Sequence, residues 1–212
     1  MDSTSFAPAQ AEQRSPDHND AVISMQCERH ANVVHEVRPM ILSIENLQRI
    51  WEVGKQYKTI FGHDYKGDFW KFVSFFATVE DDQPAKSNGL FWVIDDFAGM
   101  FYLTNINAPF DTDVHFAFYK SMGTCKTPLI MKALDYCFNK YKFHRVSTEA
   151  PLFSAKYTFQ QIEQLGFVWE GRRRSARYFD GKYFHVNYYG LLRDEFVRKN
   201  DPDGIGILDN ER

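Results

Sequence analysis

The stretch that most constrains the fold is residues 111–141, DTDVHFAFYKSMGTCKTPLIMKALDYCFNKY. Residues 114–119 are a short apolar and aromatic run bounded by polar residues, which predicts a strand buried on both faces. A helix is predicted next, with Thr127 as its N-cap and Pro128 at its first position. Its apolar stripe, with steps of three and four residues, consists of Leu129, Ile130, Ala133, Leu134, Cys137, Phe138 and Tyr141.

The loop between this strand and this helix is a candidate anion site. It comprises Lys120, Ser121, Met122, Gly123, Thr124, Cys125 and Lys126. Free N–H groups at a helix N-terminus favour a phosphate, and Gly123 lets the backbone come close to it. The alternative is an ordinary connection between a strand and a helix.

Composition places the chain among soluble proteins with a sizeable core. It has 212 residues, 44% of them hydrophobic, and a formal charge of −3, so the overall balance predicts neither a nucleic-acid nor a membrane partner. Cys27, Cys125 and Cys137 are odd in number and lack metal-ligand spacing, which favours a reducing, cytoplasmic compartment and predicts no metal.

Three segments are predicted along the chain. Residues 1–32 are polar and without periodicity, so they are expected to be disordered or loosely attached, although their one apolar cluster at 22–25 could cover the fold or bind a partner. Residues 33–198 form a single domain, and residues 199–212 a frayed tail.

Within the domain, the pattern predicts strand, two helices, three strands, helix, strand, helix and a final hairpin. The first part comprises a strand at 33–42, a helix capped by Ser43, a helix at 66–80 that could be partly strand, a loop at 81–88, and a hairpin at 89–94 and 98–104. After the central helix come a strand at 144–150, a helix with Ala155, Thr158, Phe159, Ile162 and Leu165 on one face, and strands at 167–169, 172–179 and 182–192. Asp180-Gly181 is a strong hairpin signal. This order predicts an α/β fold in which helices cover both faces of a mixed, mostly antiparallel sheet.

The C-terminal half resembles the GNAT acetyltransferases, in the branch that acetylates ribosomal-protein N-termini and its bacteriophage-encoded relatives. The residues that carry the resemblance are Leu165-Gly166-Phe167, Glu170-Gly171, Arg174, Ala176, Gly181, Tyr183, Tyr189, Leu191-Leu192 and Glu195-Phe196. Lys120-x-x-Gly123-x-Cys125 lies on the Q/R-x-x-G-x-G/A frame of that family, and the strand from Asp111 to Phe118 is similar to that of phage-encoded members. A phage origin, and thus the host cytoplasm, is the expectation.

The resemblance implies acetyl transfer from acetyl-CoA to an amine of a protein N-terminus, a lysine or a small molecule, with a host protein as one possible partner. The loop from Lys120 to Lys126 would hold the pyrophosphate, and the N–H of Phe118 or Tyr119 would hold the thioester carbonyl. No metal takes part.

Four side chains are candidates for proton transfer. Alternation along the strand puts Asp113 and His115 on one face, roughly 6 to 7 Å apart, and Glu149 lies on the next strand. Thr158 is the candidate donor to the departing thiolate. The structural alternatives are a strand-end turn residue for Asp113, a core histidine for His115, and for Thr158 a hydroxyl bonded to its own helix.

Several residues depart from the family pattern. They are Lys120, Cys125, Ala155, Ile162 in the place of a Tyr, His185 in the place of an Asp, and Phe196 in the place of a Trp. These departures leave open a second function, a GNAT-fold phage protein without turnover that acts as a virion or host-interaction module. Arg172-Arg173-Arg174 and Arg177 favour a charged hairpin or an acidic-substrate surface over nucleic acid, and Cys125 lacks the nearby base that a nucleophile needs.

Overall fold

One eight-stranded sheet organises the chain in the computed structural model, which describes residues 23–26, 34–57, 67–119, 126–154 and 156–200. In chain order the elements are β1 (Ile23–Gln26), β2 (Val34–Pro39), α1 (Ile44–Gly54), α2 (Phe69–Phe76), β3 (Ala77–Glu80), β4 (Gln83–Ser87), β5 (Gly89–Ile94), β6 (Gly99–Asn107), β7 (Asp111–Phe118), α3 (Lys126–Asp135) with a π-helical turn at Tyr136–Lys140, β8 (Arg145–Pro151), α4 (Lys156–Gln164), β9 (Val168–Phe179), β10 (Lys182–Leu192) and α5 (Arg193–Asn200).

The sheet is mixed and mostly antiparallel, as predicted. Its strand order is β1-β2-β5-β6-β7-β8-β10-β9, and β3 and β4 form a separate hairpin. Among the described strands, β7 and β8 are the parallel pair, joined by the crossover through α3. This pair lies near the centre of the sheet, and parallel strands are typically buried by other elements on both faces of the sheet.

One face of the sheet is covered by α1 and α2. Ser43 caps α1 as predicted, because its Oγ accepts a hydrogen bond from the Asn46 N–H at 3.2 Å. Buried side chains of both helices pack against β5, β6 and β7; they are Leu47, Ile50, Phe72, Val73, Phe76, Phe91, Val93, Met100, Tyr102, Ala117 and Tyr119. We call this face the α1 side.

The opposite face is covered by α3, α4 and α5, and we call it the α3 side. Six residues of the predicted stripe, from Leu129 to Phe138, are buried in its core, and Tyr141 packs against them. Val114 and Val146 reach the same core from β7 and β8. The predicted N-cap is wrong, since α3 already includes Lys126 and Thr127 lies inside the helix.

Several predicted elements differ from the observed ones. The stretch 66–80 ends as strand β3, and residues predicted as a loop form β4, because Asp81 and Asp82 adopt positive φ (46° and 55°) and close a tight hairpin. β9 is continuous, with a register shift beside Gly171, where two strands were predicted. The helix α5 was not predicted.

The predicted terminal segments lie largely outside the described residues. Within 1–32, the described part is β1, which pairs antiparallel with β2 from Ile23 opposite Val37 to Gln26 opposite Val34. In the described part of the chain, no helix has the length and apolar character needed to cross a membrane.

Candidate active site

β7 and β8 separate part-way along their length. Their backbone pairing covers Asp111 with Arg145, Thr112 with Val146, and Asp113 with Ser147. It ends there, although β7 continues to Phe118 and β8 to Pro151. Immediately beyond, the Thr148 hydroxyl donates to the Val114 carbonyl at 3.0 Å, so a side chain bridges the strands where a backbone ladder would otherwise continue. The sheet therefore has a gap between its two central strands beyond this bridge.

The paired end of these strands is held by an ion-pair network. Arg145 binds both carboxylate oxygens of Glu170 and lies 3.7 Å from the Asp111 carboxylate. The Glu170 contact, mainly through its hydrogen bonds, raises the pKa of Arg145 and lowers the pKa of Glu170. Gly190 leaves room for this pair, because a Cβ there would lie 2.5 Å from atoms of both partners. Glu170, one of the residues that resembles the family, thus anchors β9 to β8.

The gap receives the N–H of Phe118 rather than that of Tyr119. The Tyr119 N–H donates to the Ala98 carbonyl at 2.9 Å, on the β6 side of the strand. Because successive N–H groups of a strand point to opposite edges, the Phe118 N–H points toward β8. Of the two predicted donors, the Tyr119 N–H is thus already bonded within the sheet, which leaves the Phe118 N–H as the candidate donor to a carbonyl.

The predicted faces of β7 are confirmed. Ala117 and Tyr119 are buried on the α1 side, whereas Phe116 and Phe118 pack on the α3 side. Asp113 and His115 share the α1 side with Ala117, where they face a cavity of about 460 Å³.

This cavity brings together three of the four predicted proton-transfer residues: Asp113, His115 and Glu149. Its full lining is Phe75, Asn88, Tyr102, Thr104, Asn105, Asp113, His115, Glu149, Arg173 and Tyr188. The residues come from α2, from Asn88 between β4 and β5, and from β6, β7, β8, β9 and β10. The cavity therefore crosses the gap between the two central strands.

His115 is held as a neutral ring. Its Nε2 shares a hydrogen bond with the Thr104 hydroxyl at 2.9 Å, and its ring stacks on Tyr102 with centroids 4.6 Å apart. One edge stays open to the cavity, but the neighbours enclose the rest. This enclosure, assisted by the charge of Arg177, lowers the pKa of His115 from 6.5 to about 4. At neutral pH the imidazole is thus uncharged and a weak proton acceptor.

Glu149 is part of a chain of charged and phenolic groups. One carboxylate oxygen contacts Arg177, and the other accepts the Tyr188 O–H at 2.9 Å. Tyr188 in turn accepts a hydrogen bond from Arg173 at 2.7 Å. The Glu149 and Arg177 side chains are 23% and 14% exposed, so the guanidinium balances the carboxylate charge in a largely dry position.

Asp113 has fewer polar contacts than Glu149. It lies inside β7, facing the cavity, and one carboxylate oxygen accepts a hydrogen bond from the Asn105 side-chain amide at 2.7 Å. Among the described residues no ion pair within 4 Å involves Asp113; Arg145 acts on it only at longer range. Asp113 is thus the cavity carboxylate that is not neutralised by a neighbouring guanidinium.

Thr158 lies apart from these three residues. It is half-buried on α4, and its neighbours Phe159 and Ile162 pack on the α3 side. It does not line the cavity. Ile162, which stands where the related branch has a Tyr, is thus an apolar packing residue.

Most of the predicted cofactor loop lies outside the described residues. This applies to Lys120, Ser121, Met122, Gly123, Thr124 and Cys125, and also to Ala155 and Cys27. Of the predicted set, Phe118, Tyr119 and Lys126 are described. The Lys126 ammonium lies 5.6 Å from the centre of the Phe118 ring, so the first residue of α3 is next to the end of β7. The third cysteine, Cys137, is buried, which raises its pKa to about 12 and leaves it unreactive.

Three residues of the site were not identified from the sequence: Arg177 as the partner of Glu149, Tyr188, and Thr104. Tyr188 stands directly opposite Glu149 in the antiparallel pairing of β10 with β8. The Asp180-Gly181 turn predicts the hairpin that carries Arg177 and Tyr188, but only the register of β10 against β8 brings it to Glu149.

Comparison with known proteins identifies relatives by structure. No protein-family model matches the chain, and no curated protein matches its sequence. A crystal structure of a probable acetyltransferase matches with a TM-score of 0.58 at 20% identity, covering 76% of this chain and 93% of that one. Spermidine N-acetyltransferase from Vibrio cholerae, solved in complex with CoA and spermine, matches with a TM-score of 0.62 at 17% identity, covering 77% and 98%. These likenesses confirm the predicted GNAT-type fold.

Proposed function

We propose that this chain is an acetyl-CoA-dependent N-acetyltransferase in which a primary amine attacks the thioester directly. The observation that carries the proposal is the gap between β7 and β8, with the Phe118 N–H directed into it and a polar cavity beside it. The fold is that of solved acetyltransferases, one of which was crystallised with CoA and spermine.

The chain has residues suited to hold acetyl-CoA, which supplies an activated acetyl group as its thioester. Phe118 would donate its N–H to the acetyl carbonyl oxygen, where negative charge develops during attack. Lys126, at the start of α3, would add a positive charge near the pyrophosphate. The assignment of residues 120–125 to the pyrophosphate rests on their sequence.

The acceptor amine must lose a proton before or during attack. We assign this proton to Asp113, because the Glu149 carboxylate is already bound by Arg177 and Tyr188 and His115 has a pKa of about 4. Asp113 lies five residues before Phe118 on β7, roughly 16 Å along the strand, so water in the cavity would carry the proton to it. The amine nitrogen then bonds to the acetyl carbon as the carbon–sulfur bond breaks. The departing sulfur takes a proton from the Thr158 hydroxyl, the proposed donor, which regains a proton from solvent.

The experiment that tests this function measures CoA thiol release with a panel of primary amines. We expect release that depends on both the amine and the enzyme, and a drop of about 100-fold in kcat for Asp113→Asn, within the usual range for a proton-transfer residue. Glu149→Gln is the matched comparison. It should lower the free energy of unfolding by about 2 kcal/mol, since it removes the charged hydrogen bond between Glu149 and Arg177.

A thermal melt separates the two variants. Asp113→Asn should melt close to the wild-type temperature, because its carboxylate has no paired cation, whereas Glu149→Gln should melt earlier. Wild-type enzyme that releases no CoA with any amine would contradict the proposal. Full activity of Asp113→Asn would contradict only the assignment of Asp113 as proton acceptor, and the proposed acetyl transfer would stand.

A second candidate function is favoured by Ile162. Its apolar packing on the α3 side removes the phenol that the related branch uses to protonate the thiolate. A chain that binds acetyl-CoA but releases no CoA with any amine would fit a GNAT-fold binding module without turnover.

A further inference from the structure

Among the charged side chains around the cavity, two form an ion pair with each other, and two others have no oppositely charged neighbour within ion-pair distance in the described part of the chain. Glu149 is compensated by Arg177, and His115 is neutral. Asp113 and Arg173 remain, one carboxylate and one guanidinium, and both line the cavity. A ligand that satisfies both must itself carry a positive and a negative group.

Arg173 is placed to bind an anion. It projects from β9, is exposed, and donates to the Tyr188 hydroxyl while lying 5.5 Å from the centre of that ring. Among the described residues it forms no ion pair within 4 Å. The tyrosine therefore orients the guanidinium without neutralising it, and its remaining N–H donors are available to a carboxylate.

The two charges lie at opposite ends of the cavity. Asp113 is on β7 and Arg173 on β9, and the sheet order places β8 and β10 between them. Three strand spacings separate them by roughly 14 Å across the sheet, and the register places Arg173 level with Pro151, four residues or about 13 Å beyond Ser147, so their backbones are roughly 19 Å apart. Both side chains extend over the cavity, which leaves room between their charged ends for an acceptor several ångströms long.

Resting on the proposed function, we infer that the acceptor is zwitterionic: a primary amine that gives up its proton to Asp113 and a carboxylate that binds Arg173. A polyamine would bring a second ammonium toward the guanidinium and be disfavoured by like-charge repulsion. The chemistry fits either a free acidic amino acid or a peptide N-terminus followed by an acidic side chain. A cavity of about 460 Å³ has space for both.

The test compares two pairs of acceptors that each differ in one side-chain charge, together with spermidine as a polyamine. CoA release is measured with a peptide whose second residue is Glu, the same peptide with Gln, free glutamate, free glutamine and spermidine. We expect kcat/KM for the acidic member to exceed that for its amide partner by about 10- to 100-fold, the range for a hydrogen bond to a charged group. Whether the peptide or the free amino acid is used identifies the source of the carboxylate.

Arg173→Ala should abolish this preference, because it should raise KM for the acidic acceptor more than it changes kcat or the KM for the amide acceptor. Arg173→Glu should reverse the preference. Arg174→Ala is the matched control, because its neighbouring side chain is also exposed but does not line the cavity, and it should retain the wild-type preference. Calorimetric titration of the acidic peptide into each protein without acetyl-CoA reports the same preference as binding.

Failure of this inference is distinct from failure of the proposed function. Equal kcat/KM for acidic and amide acceptors, or turnover of spermidine that Arg173→Ala leaves unchanged, overturns the inference while the acetyltransferase stands. Absence of CoA release with every acceptor overturns both.

Discussion

His115 is positioned by two neighbours that restrict its chemistry. Thr104 binds its Nε2, and Tyr102 covers one ring face. The resulting pKa of about 4 means that the ring stays neutral throughout the physiological pH range. His115 thus combines the two alternatives considered from the sequence, since it is a hydrogen-bonded, largely enclosed histidine that nevertheless faces the cavity.

This depressed pKa couples the stability of the protein to pH. The unfolded chain binds a proton at His115 near pH 6.5 and the folded chain only near pH 4, so stability is complete above pH 6.5 and is lost as the pH falls toward 4. The loss through this group should be about 2 kcal/mol at pH 5, relative to pH 7.5. Urea unfolding at both pH values measures it.

His115→Gln should lack this part of the pH dependence. His144→Gln is the matched control because His144 is exposed, and it should keep the wild-type decrease between pH 7.5 and pH 5. Identical decreases for wild type and His115→Gln would show that the ring titrates normally in the folded protein.

At the residue scale, the sequence predicted which face of the sheet each β7 side chain lies on, but not which groups form its hydrogen bonds. Alternation along one strand is a local property, so it placed Asp113 and His115 together correctly. Which edge of β7 receives the Phe118 N–H depends on the register with β6, where Tyr119 binds Ala98. Register is a property of two strands, and one strand's sequence does not contain it.

At the scale of elements, β7 is the strand whose end forms the site. Its last residue, Phe118, does not donate to β6, so Phe118→Pro removes an N–H without removing a bond of that ladder. Phe118→Ala removes the same ring but keeps the N–H. We expect kcat of Phe118→Pro to be about 100-fold below that of Phe118→Ala, which is the cost of losing one donor to a developing oxyanion.

Steady-state CoA release gives both values, and circular dichroism and thermal melting confirm that both variants are folded. Both variants lack the Phe118 ring, so the loss of its packing on the α3 side affects their kcat values equally. Equal kcat values would assign the carbonyl to a different donor.

Elements with a long apolar period were predicted best. The predictions for the stripe from Leu129 to Phe138 and for the strand β5 agree with the structure. The apolar spacing of the first is typical of a helix, and the short apolar run of the second is typical of a buried strand. The segment 66–88 was harder. Its aromatic residues suit helix and strand equally, and the turn at Asp81 and Asp82 depends on positive φ angles that aspartate adopts less readily than glycine.

At the scale of the whole molecule, the order of strands determines where chemistry takes place. The parallel pair lies between two antiparallel blocks, and its backbone pairing ends after Ser147, so the interruption falls near the middle of the sheet. The element order predicted this arrangement through its resemblance to a known fold. The cavity could not be predicted, because it joins residues from five strands, a helix and the connection between β4 and β5 that only the assembled sheet brings together.

The central claim is that acetyl-CoA binds at this gap, and isothermal titration calorimetry with acetyl-CoA tests it most directly. We predict saturable binding with one site per chain, no binding to Gly123→Trp, and a stabilisation of about 2.7 kcal/mol when the ligand is at 100 times its Kd. Absence of binding heat in wild-type protein, together with an unchanged melting temperature at millimolar acetyl-CoA, would contradict the account.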